Sequence, residues 1–477
     1  MMNHIAIFDV GKTNKKLFLF DEHYKIVHEQ SDGFTETTDE DGQPCEDIDK
    51  LTAWVKRSCA WLESQGTPIR AVNFSAYGAS FVHLGAQGEP VTPLYNYLKP
   101  YPEELKEKFY NNYGGEVTFS MLTASPVLGS LNSGMQLYRI RQENPELFER
   151  IRHSLHLPQY LSYLLTGQVY SDITSIGCHT NLWNFSQQNY HEWVYREGVI
   201  DKLAPVLACT HVLRASFDCL RRAEVAAGLE DDKPTGMAHD GNGLIAGIGL
   251  HDSSAAMIPY LESFQEPFVL ISTGTWCISM NPFNDSPLTI AELQKDCLCY
   301  LSYQGRPVKA SRLFAGYEHE QQVKRLAAHF NVAPAYANTI AFDAEITSAL
   351  HDREEEYGAV NLGSLLASAF GRRRLEDYKS FDEAYHRLIM DIMDQQVAST
   401  RLVLEGTNVK RIFVDGGFGR NQVYMNLLAC AFPHIEVFAA SISQATAMGA
   451  ALAIHKHWNN RSLPGDIIEL KYYVACK

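Results

Sequence analysis

Asp9-Val10-Gly11-Lys12-Thr13-Asn14-Lys15-Lys16 lies between the apolar runs 5–8 and 17–20, so it reads as the tip of a strand–turn–strand hairpin. The outline returns later in the chain, where the apolar run 268–272 enters Thr273-Gly274-Thr275 and leaves through 276–280. A tip made of glycine and hydroxyl residues exposes backbone N–H groups, and such a concavity holds phosphate oxygens with no bulky side chain in the way. Two such turns, one in each half, predict a nucleotide clamped between two related domains.

A chain of 477 residues is too long for one core, and the repeated turn favours two large domains over three small ones. With 45% hydrophobic and 20% charged residues, the composition is that of a soluble globular protein. The formal charge of −15 argues against a nucleic-acid or anionic-membrane surface, which would need a positive footprint. No run is apolar enough to span a bilayer and the first residues lead straight into a strand, so the expected location is the cytoplasm. The ten cysteines are scattered, and Cys297-Leu298-Cys299 has no partner pair of the kind zinc sites use, so buried thiols are expected.

Residues 3–34 read as a three-stranded meander, 49–65 as a helix with Leu51, Trp54, Val55, Cys59 and Leu62 on one face, and 71–75 and 82–85 as strands. Residues 145–166 read as two helices meeting at Pro158. The order then restarts, with a hairpin at 267–280, helices at 314–330, 381–405, 422–431 and 443–457, and a buried strand at 411–414. The glycine-rich stretch 235–249 is the expected hinge, which gives a domain of 1–245 and a second of 246–477. Antiparallel first strands followed by helices indicate an α/β fold with mixed sheets.

Phosphoryl transfer needs phosphate oxygens held in place, a bridging metal and a base that orients the attacking hydroxyl. Asp9, at the end of the first strand, suits Mg2+ held partly through water. Gly11, Thr13 and Asn14 offer donors, and Lys12 or Lys16 would offset phosphate charge; a plain polar hairpin with exposed lysines fits the same residues. Asp415-Gly416-Gly417-Phe418-Gly419-Arg420-Asn421 joins a strand to a helix, where Gly416 and Gly417 admit a flat ring or phosphate and Asn421 caps or contacts; a tight turn is the plainer reading. In Gly249-Leu250-His251-Asp252-Ser253-Ser254-Ala255-Ala256-Met257, Asp252 is either a helix cap or a base for a substrate hydroxyl, with His239-Asp240 as a rival pair. His386, His434, His455 and His457 read as surface or capping residues.

In order along the chain, Asp-x-Gly, His-Asp-Ser-Ser-Ala-Ala, Ser-Thr-Gly-Thr-Trp, Asp-Gly-Gly-x-x-x-Asn and Ala445-Thr446-Ala447-Met448-Gly449-Ala450-Ala451 resemble the series of the FGGY family of carbohydrate kinases, from residue 5 to about residue 456. The resemblance implies two actin-like, ribonuclease H-like ATPase domains around a central cleft, with Asp9 and Asp252 on opposite walls. It implies ATP and Mg2+ as cofactors. By the same likeness Asp9 and its turn form the first phosphate motif, Thr273, Gly274 and Thr275 the second, and Gly416, Gly417 and Asn421 the adenosine motif. Asp252 becomes the catalytic base and Asp9 the metal residue.

Ser75-Ala76-Tyr77-Gly78-Ala79-Ser80-Phe81-Val82-His83-Leu84 and the stretch from His156 to Gly167 are similar to the L-rhamnulose and L-fuculose kinase group. Tyr77, Gly78, Ala79, Ser80, Asn96, His251 and Asp252 thereby become substrate-binding candidates, and the expected acceptor is the terminal hydroxyl of a 6-deoxyketose. Three positions depart from that group. Ser80 stands where those kinases carry Asp, Tyr95-Asn96-Tyr97 where many relatives have Trp-x-Asp-x-Arg, and Lys12 where the turn carries a small or hydroxyl residue. D-xylulose, L-ribulose or a polyol is the competing acceptor, followed by a non-catalytic sugar-binding protein and an actin-like ATPase switch. The implied partners are a sugar and ATP, with no nucleic acid and no membrane, and a homodimer stays open.

Overall fold

The computed structural model describes residues 2–217, 243–357 and 369–474. These group into two compact units. The first takes in Met1–Ser263, Cys299–Arg306 and Ser443–Ile467; the second takes in Phe264–Leu298, Pro307–Ile442 and Ile468–Lys477.

The first unit is built on a seven-stranded sheet. His4–Val10, Lys15–Asp21 and Ile26–Asp32 run antiparallel, and Ile69–Ala76 lies parallel to the first on its other side. Ile5, Ile7, Phe8, Leu17, Phe18 and Phe20 are fully buried, which is why the strands read as continuous apolar runs and not as alternating ones: both sheet faces are covered. The helix Ile48–Ser64 covers one face with Leu51, Trp54, Val55, Cys59 and Leu62, the stripe expected from its spacing, and Asp47 caps it by accepting the Lys50 N–H at 3.0 Å.

The second unit repeats the plan. Phe268–Thr273 and Cys277–Asn281 form a hairpin, and Arg411–Gly416 runs parallel to the first of these strands, as Ile69–Ala76 does in the first unit. Glu436–Ser441 extends the parallel set and Glu469–Tyr473 closes its edge antiparallel, so the segment expected to be a mere extension supplies a sheet strand. The helix Phe381–Leu404 spans the core with Leu388, Ile389 and Ile392 buried.

The units are not cut where the sequence suggested. Residues 245–263 stay with the first unit because Ile245–Gly247 and Leu250–His251 both pair with Ile69–Ala76. Residues 443–467 return to it through helix packing. A Cβ at Gly449 would lie 1.8 Å from the Ala255 carbonyl oxygen, so Ala445–Ala453 and Asp252–Ser263 approach backbone to backbone through small residues that local periodicity cannot pair. Residues 235–242 of the expected hinge and the pair His239-Asp240 lie outside the described residues.

Other readings change as well. A strand, His153–His156, separates helices Pro145–Arg150 and Leu157–Thr166, where two abutting helices were expected. His386 is 1% exposed, and its Nε2 accepts the Asp343 N–H at 3.0 Å, so it is a core residue and not a surface one. Cys45, Cys59, Cys178, Cys209, Cys277, Cys297 and Cys299 are buried thiols outside any disulfide, whereas Cys430 is disulfide-bonded. No helix among the described residues is long and apolar enough to cross a membrane.

Candidate active site

Residues 11–14 join two paired strands, with Val10 opposite Lys15, and the Gly11 N–H closes the turn on the Asn14 carbonyl at 2.9 Å. Thr13 and Asn14 are exposed at the tip. The turn is shaped from below by a residue the sequence reading passed over. Lys15 is 1% exposed, and its ammonium donates to the carbonyls of Gly11 and Lys12 at 3.1 and 3.0 Å. It is neutralised by Glu46 at 2.5 Å, which also accepts the Tyr77 hydroxyl at 2.9 Å. The turn 11–14 and Tyr77 therefore share one buried ion pair.

Asp9 and Asp252 do not face each other from different walls; both belong to the first unit. The parallel strands His4–Val10 and Leu250–His251 meet Ile69–Ala76 at the same level, with Asp9 and Leu250 both registered to Ser75 and His251 to Ala76. Asp252 follows directly as the first residue of its helix, so the two carboxylates emerge at neighbouring strand ends. Asp9 Oδ2 accepts the Thr446 hydroxyl at 2.7 Å. Removal from water raises the Asp9 carboxyl to about 6, against the lowering hydrogen bond from Thr446 and with a further push from the charge of Asp252. Lys16 pulls the same group down, and its ammonium lies 3.3 Å from the Gln444 amide oxygen and 3.6 Å from Glu29.

Asp252 is partly exposed, and its Oδ1 accepts the Ser253 N–H at 2.6 Å with His251 Nε2 at 3.2 Å. A Cβ at Gly78 would come within 2.7 Å of that imidazole, so glycine leaves room for His251 beside the base candidate. The His251 backbone N–H is fixed by Thr174 Oγ1 at 3.0 Å.

The segment 75–84 carries one left-handed residue. Ala79 adopts φ +64°, uncommon for a side-chain-bearing residue, and the Gln136 amide secures its carbonyl at 2.9 Å. Ser80 is 1% exposed, with its hydroxyl turned to the Tyr95 carbonyl at 3.5 Å. Asn96 spends its amide on Glu36 at 3.2 Å. Lys12 leaves the turn to pair with Glu36 at 2.6 Å, with its ammonium 5.9 Å from the ring centres of both Tyr77 and Tyr97.

In the second unit, Thr273 knits the two remaining motifs together. Its hydroxyl donates to the Asp415 carbonyl at 2.6 Å and accepts the Phe418 N–H at 3.1 Å, while its carbonyl takes the Gly417 N–H at 3.0 Å. Thr273, Gly274, Gly417 and Asn421 line a cavity of about 650 Å³ with His319 and Tyr385. Thr275 anchors the next helix by accepting the Tyr317 N–H at 3.1 Å. Asn421 caps its helix by accepting the Tyr424 N–H at 3.1 Å, and its amide donates to the Tyr385 hydroxyl at 2.9 Å, which in turn lies 3.0 Å from His319 Nε2. Burial lowers His319 to about 4, so the ring is neutral and able to contact a flat heterocycle.

Gly416 has φ +92°, and a Cβ there would lie 2.0 Å from the Thr273 carbonyl oxygen. Gly416→Ala is expected to destabilise the protein by about 1–3 kcal/mol through left-handed strain and backbone displacement, measured by denaturant unfolding at unchanged m-value.

Lys15, Glu46, Thr446, His319 and Tyr385 were not singled out from sequence for these roles. Thr446 was visible only as part of a run of small residues, and His319 and Tyr385 carry no spacing signal.

The geometry has close relatives. The N-terminal domain model of the FGGY family of carbohydrate kinases matches residues 4–215, and the carbohydrate kinase FGGY C-terminal domain model matches 265–462. The chain belongs to the FGGY family of carbohydrate kinases, whose members are phosphotransferases with alcohol acceptors. It is similar to a rhamnulokinase of Mannheimia succiniciproducens, 25% identical over 280 residues, covering 58% of this chain and 53% of that one. The alignments take in about half, or less, of the length of the curated relatives it matches. Among solved structures, a carbohydrate kinase from Novosphingobium aromaticivorans has a TM-score of 0.78 at 21% identity, covering 98% of this chain and 96% of that one. A ligand-bound xylulose kinase from Lactobacillus acidophilus has a TM-score of 0.77 at 17% identity, over 99% and 94%. The fold is thus that of the sugar kinases.

Proposed function

We propose that the chain is an ATP-dependent kinase that phosphorylates the terminal hydroxyl of a ketose, with a 6-deoxyketose such as L-rhamnulose or L-fuculose as acceptor. The observation that carries this reading is the pair of carboxylates at neighbouring ends of parallel strands, Asp9 and Asp252, beside an open turn of glycine and hydroxyl residues. Two chemically equal carboxyls placed differently take different roles. Asp252, partly exposed and paired with the His251 imidazole at 3.2 Å, accepts the proton of the attacking hydroxyl.

The Asp9 environment fits Mg2+: a carboxylate drawn out of water beside a second negative charge is relieved by a divalent cation. Asp9 would hold it, and the ion when bound would offset the charge of the phosphates. Among the described residues no group of three or more His, Cys, Asp or Glu side chains could hold a metal, and a Mg2+ bound through one carboxylate, water and phosphates needs none. Gly417, Asn421, His319 and Tyr385 would receive the adenosine end of ATP, and Thr273 and Gly274 at the same cavity its phosphates. Cytoplasmic location goes with this reading.

The buried Ser80 and the committed Asn96 keep D-xylulose, L-ribulose or a polyol as the alternative acceptor. ADP release from Mg-ATP against L-rhamnulose, L-fuculose, D-xylulose, L-ribulose, D-ribulose and glycerol decides. A response to a 6-deoxyketose above the others is expected; a response to D-xylulose alone replaces the acceptor, and no response to any of them removes these acceptors in favour of an untested sugar, a non-catalytic sugar binder or an ATPase switch.

Proton and cation compete at Asp9. Because its folded pKa is raised to about 6, Asp9 is neutralised as pH falls through that value, and the Mg2+ needed for half-maximal turnover is expected to rise up to ~tenfold per pH unit below it. The metal-free stability follows the opposite sense: the native state binds this proton more tightly than the unfolded chain, so its contribution is present below pH about 4 and is lost as pH rises through 6. Thr446→Val removes a lowering hydrogen bond and is expected to move both midpoints upward. Mg2+ titrations across pH check this, and a Mg2+ requirement independent of pH contradicts it.

A further inference from the structure

We infer that Glu36 and Lys12 form the acceptor-recognition pair of this chain, Glu36 supplying the carboxylate for a sugar hydroxyl and Lys12 the donor beside it. The inference rests on the kinase reading and names the groups that read its acceptor.

Ser80, which occupies the position of a sugar-facing carboxylate in the kinases this segment resembles, is buried and turned to the Tyr95 carbonyl, so it offers the acceptor nothing. A carboxylate is present nearby on a different stretch. Glu36 leaves 43% of its side chain exposed and Lys12 26%, so the pair is reachable, unlike Lys15 and Glu46 below it at 1% and 5%. Its place is fixed from several sides. The Asn96 amide donates to the same Glu36 oxygen that meets Lys12, and Asn96 is itself held by the Leu98 N–H at 2.9 Å. The Tyr77 and Tyr97 rings, edge to face at 6.0 Å, flank the ammonium at equal distance.

The pair also stands near the base candidate. After burial, the charges of Asp252 and Glu36 both push the phenol of the half-buried Tyr97 up, so the fields of both carboxylates meet at this ring. A molecule whose terminal hydroxyl meets Asp252 would carry its remaining hydroxyls across Tyr97 toward Glu36. The chemistry selects the class of acceptor. Lys12 is already neutralised by Glu36, so the pair offers one acceptor and one donor to adjacent hydroxyls and no uncompensated cation to a carboxylate. The acceptor it fits is a neutral polyhydroxy ketone and not a sugar acid. Lys12 thus serves the sugar and not the phosphates, although it sits in the phosphate turn.

The test compares wild type, Glu36→Gln, Glu36→Asp, Lys12→Met and the double variant Glu36→Gln/Lys12→Met, with L-rhamnulose, D-xylulose and D-gluconate as acceptors. KM and kcat for acceptor, KM for Mg-ATP and Tm are measured on each. Glu36→Gln and Lys12→Met are expected to raise the ketose KM at least ~tenfold, with the Mg-ATP KM and Tm unchanged. Glu36→Asp is expected to recover part of the loss, and the double variant to lose less than the product of the single losses, because the two side chains act together. A ketose KM unchanged in Glu36→Gln overturns the inference while leaving the kinase intact. A rise in the Mg-ATP KM of Lys12→Met with no change for ketose assigns Lys12 to the phosphates and also overturns it. Wild type that releases no ADP with any acceptor removes the kinase reading, and the inference with it.

Discussion

Asp252→Asn is expected to lower kcat by about 10²–10⁴-fold, the usual contribution of a positioned base, while the KM values for ketose and Mg-ATP change little. The substitution is close to isosteric. The amide oxygen can still accept the Ser253 N–H, now 2.6 Å from the carboxylate, and can still face His251, so the helix start keeps its geometry. What is lost is the ability to take a proton from the attacking hydroxyl. Tm should stay at the wild-type value, since the side chain is partly exposed and its amide replacement can still meet His251 Nε2. A variant that keeps more than about a tenth of wild-type kcat would mean that the proton leaves by another route and that Asp252 only starts its helix.

The largest stability effect is expected at Lys15. Lys15→Met leaves Glu46, 5% exposed, as a buried carboxylate whose remaining donor is the Tyr77 hydroxyl, and removing one partner of such a pair costs about 3–5 kcal/mol. The turn carbonyls of Gly11 and Lys12 lose their shared donor at the same time, so nucleotide affinity should fall with stability. Lys15→Met/Glu46→Leu removes the stranded charge and is expected to regain much of the stability without regaining the nucleotide affinity, because the turn stays unsupported. Urea unfolding together with a Mg-ATP titration separates the two effects. A loss below about 1 kcal/mol in the single variant would show that the pair is no more than a surface contact in solution.

Local signals account for what the sequence disclosed. Hairpin tips, the Leu51–Leu62 stripe of the first long helix, and the Gly416–Asn421 strand-to-helix junction are written in consecutive residues, and each stands where its spacing put it. Partners across the chain are written nowhere in particular. Thr446 reaches Asp9 over 437 positions, and Asn421 reaches the hydroxyl of Tyr385, which is paired in turn with His319 on another helix. Lys15 looks like one of several exposed lysines until register places it opposite Val10 with its side chain underneath the turn. Asp252 was assigned to the second domain by its position after a glycine-rich stretch, yet the pairing of Leu250–His251 with Ile69–Ala76 holds it in the first unit. Sheet register and small-residue helix packing, both tertiary, decided each of these.

Transfer of the γ-phosphoryl group to a ketose is seen by following that group. Mg-ATP labelled in the γ-phosphate is incubated with each ketose, and the products are separated by mass spectrometry. Label is expected in a sugar monophosphate, on the oxygen of the terminal carbon, appearing in step with ADP. Label recovered only as inorganic phosphate, with ADP formed at the same rate whether or not sugar is present, would contradict it.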